Sequence, residues 1–222
     1  MFDFLVPIIV AIVALIVLIF ALGGIVIISE RQVGIVIKRW SSKSLPSGRL
    51  IALNGEAGYQ ADTLAPGVHF FYWPWFYAVR KVPMTVVQPG EIALVVASDG
   101  APIPPERILG KTVDSDNFQN ARKFLSNGGE KGRQLGILTA GAHRINTALF
   151  TIITRQNADQ HDMNPDDLLV YSVASDMVGI ITTLDGAPID EGEIAGLYIP
   201  GHDNFQNAQA FLAAGGQRGL QE

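Results

Sequence analysis

Asp116–Gln134 reads DNFQNARKFLSNGGEKGRQ, and Asp203–Gln221 reads DNFQNAQAFLAAGGQRGLQ; twelve of the nineteen positions agree. Upstream, Asp99-Gly-Ala-Pro-Ile103 returns as Asp185-Gly-Ala-Pro-Ile189, each after an apolar run, Ile92–Ala97 and Val178–Thr183. A fainter copy lies earlier. Gly55-Glu-Ala-Gly-Tyr-Gln60 with Leu64-Ala-Pro-Gly-Val-His69 parallels Gly129-Glu-Lys-Gly-Arg-Gln134 with Leu138-Thr-Ala-Gly-Ala-His143, and its opening strand is Val33-Gly-Ile-Val-Ile37. The chain is thus three units, the first without the Asp-Asn-Phe-Gln insert, and repetition of this kind sets architecture.

Each unit opens with a strand of β-branched residues. Asp116 and Asp203 stand where a helix N-cap acceptor is expected. Phe118, Ala121 and Leu125, like Phe205, Ala208 and Leu212, recur at i, i+3 and i+7, one buried helical stripe. Gly128 and Gly215 are expected just past the helix end, where φ > 0 is wanted. A Gly-x-x-Gly turn, a second strand ending in Leu-x-x-Gly-x-His and a third strand complete the module. The third unit halts at Glu222 without its Leu-x-x-Gly segment, and a half-built module leaves strand edges unpaired; the expectation is a chain that continues.

The N-terminal side is different. Leu5–Ile28 holds 24 positions without a charge, all apolar except Pro7, Gly23 and Gly24. As a helix it would reach about 36 Å, against a ~30 Å hydrocarbon core. A cleaved signal would carry Lys or Arg first and a shorter apolar core, whereas only Asp3 precedes this run. The expectation is a retained transmembrane anchor. Arg31, Lys38, Arg39, Lys43 and Arg49 follow it, which places the N-terminus outside and the modules in the cytoplasm.

Composition narrows the chemistry. A net charge of −5 argues against nucleic acid as a partner, since that needs a basic stripe. Without cysteine there is no disulfide, thiolate metal site or thiol nucleophile. Twenty-three glycines and twelve prolines indicate short strands and tight turns. Gly110-Lys111-Thr112 is no phosphate loop, because Pro105 occupies the first glycine position. His161, Asp162, Asp166 and Asp167 carry metal-donor chemistry, yet Asn164-Pro165 beside them reads as a turn. His69 and His143 hold matched repeat positions, which suits side chains bonding across the turns at Pro66-Gly67 and Gly141. No catalytic, cofactor or metal residue is assigned, and the chain does not read as an enzyme.

The aromatic run Phe70, Phe71, Tyr72, Trp73, Pro74, Trp75, Phe76, Tyr77 admits two readings. Alternate side chains could pack into a core. Alternatively, Trp and Tyr could sit at a membrane interface, their amphipathic rings at headgroup depth. Pro74 interrupts the strand and both faces are aromatic, so the interfacial reading is preferred, with Trp73, Trp75 and Phe76 as main contacts.

Glu30-Arg-Gln-Val-Gly-Ile-Val36 straight after a lone apolar run, then Leu64-Ala-Pro-Gly-Val-His-Phe-Phe71 and Val79-Arg-Lys-Val-Pro83, resembles the stomatin/prohibitin/flotillin (SPFH, band 7) superfamily. The long repeated form looks most like bacterial flotillin-like membrane proteins. The resemblance implies an α+β fold: an N-terminal transmembrane helix followed by tandem small strand-rich SPFH-type modules with short helices. The expected divisions are an anchor at 1–29, a membrane-proximal module at 30–88, a second at 89–172 and an incomplete third at 173–222. The implied function is a single-pass cell-membrane scaffold that self-assembles into a homo-oligomeric ring or cage and organises a membrane microdomain. Its partners would be lipids, its own copies, and a membrane protease or other client. The alternative is a monomeric or dimeric binding module presenting its repeats to an envelope protein or membrane protease.

Overall fold

A computed structural model describes the backbone of residues 2–221 and the side chains of 6–20 and 23–221. The chain divides into two compact units, Met1–Thr85 with His143–Ala148, and Val86–Ala142 with Leu149–Glu222.

The first unit opens with helix α1 (Phe2–Gly23), which carries Pro7 near its start. Strands β1 (Val26–Ile28), β2 (Gln32–Lys38), β3 (Ile51–Ala52), β4 (Gly58–Leu64), β5 (Gly67–His69) and β6 (Tyr77–Pro83) follow. Four of them form a sheet in the order β3-β4-β2-β6, while β1 pairs with β5. Strand β2 runs antiparallel to β6 over its whole length, from Gln32↔Pro83 to Lys38↔Tyr77. Its other edge meets β4 with a register shift between Ile35 and Ile37. Ile28, Val36 and Leu64 make the core, with Val26, Tyr72, Tyr77 and Val79 packed on it. Gly34 belongs here because a Cβ would stand 2.9 Å from that of Leu64.

In the second unit, β7 (Thr85–Val87) leads into β8 (Ala93–Ala97), helix α2 (Ala121–Ser126), β9 (Gly132–Leu138), β10 (Gly141–His143) and β11 (Phe150–Ile153). The sheet order is β11-β8-β9. Phe118, Phe124 and Phe150 meet in near-perpendicular and tilted pairs, with centroids 5.0–6.1 Å apart, the edge-to-face arrangement aromatic quadrupoles favour. The repeat returns as β12 (Thr182–Thr183), β13 (Ala187–Pro188), α3 (Ala208–Ala213) and β14 (Gln217–Leu220), in the order β12-β14-β13.

Several expectations are corrected. The chain is mainly β, with α1 and two six-residue helices, in place of the α+β class. Among the described residues no helix is long and apolar enough to cross a membrane. This overturns the transmembrane anchor at 1–29, and with it the single-pass location with outside N-terminus and cytoplasmic modules. Asp3, Leu5 and Ala21-Leu22, used in that reading, lie outside the described side chains, as does Glu222.

The helix caps shift as well. Asn120 and Asn207, not Asp116 and Asp203, accept from Lys123 N and Ala210 N. Asp116-Asn117-Phe118 and Asp203-Asn204-Phe205 instead form left-handed turns, with φ between 48° and 63° at all six residues. Such backbone is costly for residues with a Cβ, and it recurs in both modules. At the other end, Gly128 and Gly215 have φ of 75° and 91°. Gly129 N and Gly216 N then donate back to Phe124 O and Phe211 O at 2.8 and 2.9 Å, closing both helices alike.

Candidate functional site

The aromatic run folds into a collar on the end of α1. The last carbonyls of a helix lack intrahelical donors, and here the run supplies them. Trp73 Nε1 donates to Phe20 O at 2.6 Å, and Tyr72 N donates to Gly24 O at 2.9 Å. Gly24 permits the approach, since a Cβ there would sit 2.9 Å from Trp73 Nε1. The Phe20 ring lies 5.1 Å from Trp75 and 6.4 Å from Trp73. Pro74 begins a tight turn in which Phe76 N and Tyr77 N both donate to Trp73 O. Phe76 O in turn accepts from Arg39 N at 2.8 Å, fastening the turn to the end of β2.

The collar has an inner and an outer side. Tyr72 and Tyr77 stack edge-on at 5.4 Å and pack on the core of the first unit. Burial first, then neighbouring Tyr77 and Asp62, pushes the Tyr72 hydroxyl above its ordinary range. Phe70, Phe71, Trp75 and Phe76 are exposed, Phe71 at 72%. Residues 6–20 of α1 are exposed on every face, and each carries an apolar side chain or, at Pro7, a ring. Of the expected main contacts, Trp75 and Phe76 are exposed, whereas Trp73 is half-buried and occupied with α1; Phe70 and Phe71 are exposed as well.

The expected structural turn is built from Pro66, Gly67 and His69. His69 Nε2 and Ala65 O are 2.7 Å apart across that turn, and the His69 ring meets Tyr72 edge-on at 6.4 Å. The turn therefore buttresses the collar. Gly141 and His143 hold the matching place at β10, with His143 buried. Asn164 accepts from Asp166 N, and Arg155 pairs with Asp166 at 3.1 Å. Among the described residues no group of three His, Cys, Asp or Glu side chains could hold a metal ion.

A second set of residues, not singled out from the sequence, ties the modules internally. One glutamine latches each unit at the same turn. Gln60 Nε2 donates to Glu56 O and Gly58 O, Gln134 Nε2 to Glu130 O and Gly132 O, and Gln221 Nε2 to Gln217 O and Gly219 O, all at 2.7–2.9 Å. Glu130, buried, receives Arg107 Nη2 at 2.6 Å and Lys111 N at 2.8 Å. Burial alone would raise its carboxyl, but these two donors hold it below the ordinary carboxylate range. Asp185, also buried, accepts from Leu109 N at 3.1 Å, Ile108 N at 3.3 Å and its neighbour Gly186 N at 2.9 Å. The signal for these roles was present as repetition: Asp99/Asp185 and Gln60/Gln134/Gln221 recur, the glutamine acceptors lying two and four residues away and the Ile108 and Leu109 donors to Asp185 lying 77 and 76 residues away.

No family model, no curated protein and no solved structure matches this chain. The expected SPFH, band 7 or flotillin-like membership therefore has no support beyond the short motifs that suggested it, and it does not name the fold.

Proposed function

We propose that this chain is a self-assembling scaffold of repeated strand modules that works against a lipid surface. The observation that carries the reading is the aromatic collar: four exposed rings, Phe70, Phe71, Trp75 and Phe76, gathered at the end of an apolar helix. Water is a poor solvent for that surface, and Trp and Phe beside an apolar element suit a headgroup boundary. The partly exposed strand β6, at the end of the β3-β4-β2-β6 sheet, offers a site for side-by-side association of copies. The collar holds no charged nucleophile or base, so the reading is one of binding and assembly.

Two measurements on the full chain test it. In a Trp40→Phe background, fluorescence of the collar tryptophans should be quenched by phosphatidylcholine vesicles with brominated acyl chains. Phe71→Ser with Phe76→Ser should weaken that quenching. Unquenched emission at saturating lipid sinks the lipid contact. Light scattering in mild detergent should give particles of many chains; a species of one or two chains sinks the scaffold and favours the single binding module.

A further inference from the structure

Modules two and three carry the same loop in the same setting. In module two, Gly110 bridges Gln134 in parallel, and in module three Gly196 bridges Gln221. Lys111 N donates to Glu130 Oε2 at 2.8 Å; at the matching place Leu197 N donates to Gln217 Oε1 at 3.1 Å. Both glycines abut the latch glutamine, where a Cβ would come within 2.9 Å of its amide. The loop 190–197 is therefore held in the form of the loop 104–111.

One thing differs. In module two the two amides before the bridge glycine, Ile108 N and Leu109 N, are taken by the Asp185 carboxylate. Their counterparts in module three are Ile194 N and Ala195 N. Among the described residues these two amides have no partner. Ile194 is 85% exposed, against 58% for Ile108, and Leu197 and Tyr198 that follow it are exposed too. Two adjacent N–H groups on a loop held in the form of the one that binds the Asp185 carboxylate offer a carboxylate the same pair of donors.

We propose that Ile194 N and Ala195 N are a docking site for the carboxylate of an Asp-Gly-Ala-Pro turn, presented by a further module of this same kind. The occupant is identified by what fills the equivalent site one module earlier. Asp185 reaches those amides because Gly186, with φ of 115°, folds its own N–H back onto the same carboxylate. An aspartate followed by glycine is thus part of the recognition, and the docked turn would cover Ile194 as the module-three turn partly covers Ile108. Modules joined in this way add head to tail. The proposal does not depend on the lipid reading.

The test uses the full chain and a dye-labelled peptide of residues 182–192 (TTLDGAPIDEG), read by fluorescence anisotropy. Saturable binding is expected, weakened at least ~10-fold when the peptide carries Asp185→Asn, because a charge-assisted acceptor is lost. In the protein, Ala195→Pro removes one donor and should abolish binding, whereas Ala195→Gly keeps the N–H and should retain it. No binding of the native peptide overturns the proposal. So does equal binding of the Asp185→Asn peptide or of a scrambled peptide, outcomes that stand even if Ala195→Pro does not fold.

Discussion

At the scale of single residues, each module depends on one amide. Gln134 is buried, and its Nε2 donates to two carbonyls, Glu130 O and Gly132 O, at 2.7 and 2.8 Å. A carboxylate in that place would face two acceptors with nothing to donate. Gln134→Glu should therefore destabilise the chain by on the order of 3 kcal/mol at pH 7. Only the protonated acid can donate at all, with its single O–H to one of the two carbonyls, so the folded chain raises its pKa. The deficit relative to wild type is then smallest below the unfolded value of about 4.3 and opens as pH rises through the raised folded value. Denaturant melts of both proteins from pH 3.5 to 7 read this; a constant deficit would remove the latch argument. The glutamine was visible in the sequence as a repeated letter following a Gly-x-x-Gly turn. Its acceptors were not, because a side chain's partners depend on how the turn folds back. Asp116 shows the reverse: its residue type suits a cap, yet the left-handed turn moves the cap to Asn120.

Elements are held by a few buried carboxylates. Glu130 fixes the 104–111 segment through Arg107 and the Lys111 amide. Its pKa lies below the ordinary value, so its contribution is present above the unfolded carboxylate value and is lost as pH falls through the lower folded one. Glu130→Gln should cost on the order of 2 kcal/mol at pH 7, and the gap to wild type should narrow on acidification below about pH 4. A thermal-melt series across that window checks the sign: the gap narrows on acidification as for Gln134→Glu, but here because the wild type loses stability, not because the variant gains it. Strands and short helices were legible element by element, since β-branched runs and the Asn-Phe-Gln stripe carry their own periodicity. The stripe was read with Phe118 inside the helix; it lies before it, in the left-handed turn, and still joins Phe124 and Phe150 in the core. In module two periodicity reports the buried residues more faithfully than the backbone bonds, whereas in module three Ala208 is exposed, Phe205 and Leu212 are half-buried, and Phe211 is the buried ring.

Over the whole molecule the chain does not divide where the repeats divide. Residues 143–148, from within module two, belong with the first unit. Asn146, fully buried, donates from Nδ2 to Gln60 O and Ala61 O at 3.0 Å and accepts Ala148 N at Oδ1. Asn146→Ala would orphan two buried carbonyls and should cost about 2–4 kcal/mol, with protection of the β4 amides falling in hydrogen exchange. Unaltered exchange in β4 would show that the return segment does not hold the first unit. The repeats, the β-rich modules, the turn glycines and the aromatic run were all determined by residue order, because local propensity and spacing act over a few neighbours. The collar on α1, the glutamine latches, the Asp185 clamp and the return of Asn146 were decided only in three dimensions. The collar, the clamp and the return of Asn146 join groups as much as 53, 77 and 86 residues apart, and no short-range pattern encodes which distant donor reaches which acceptor; the latches span only two to four residues, but their geometry exists only once the turn has folded.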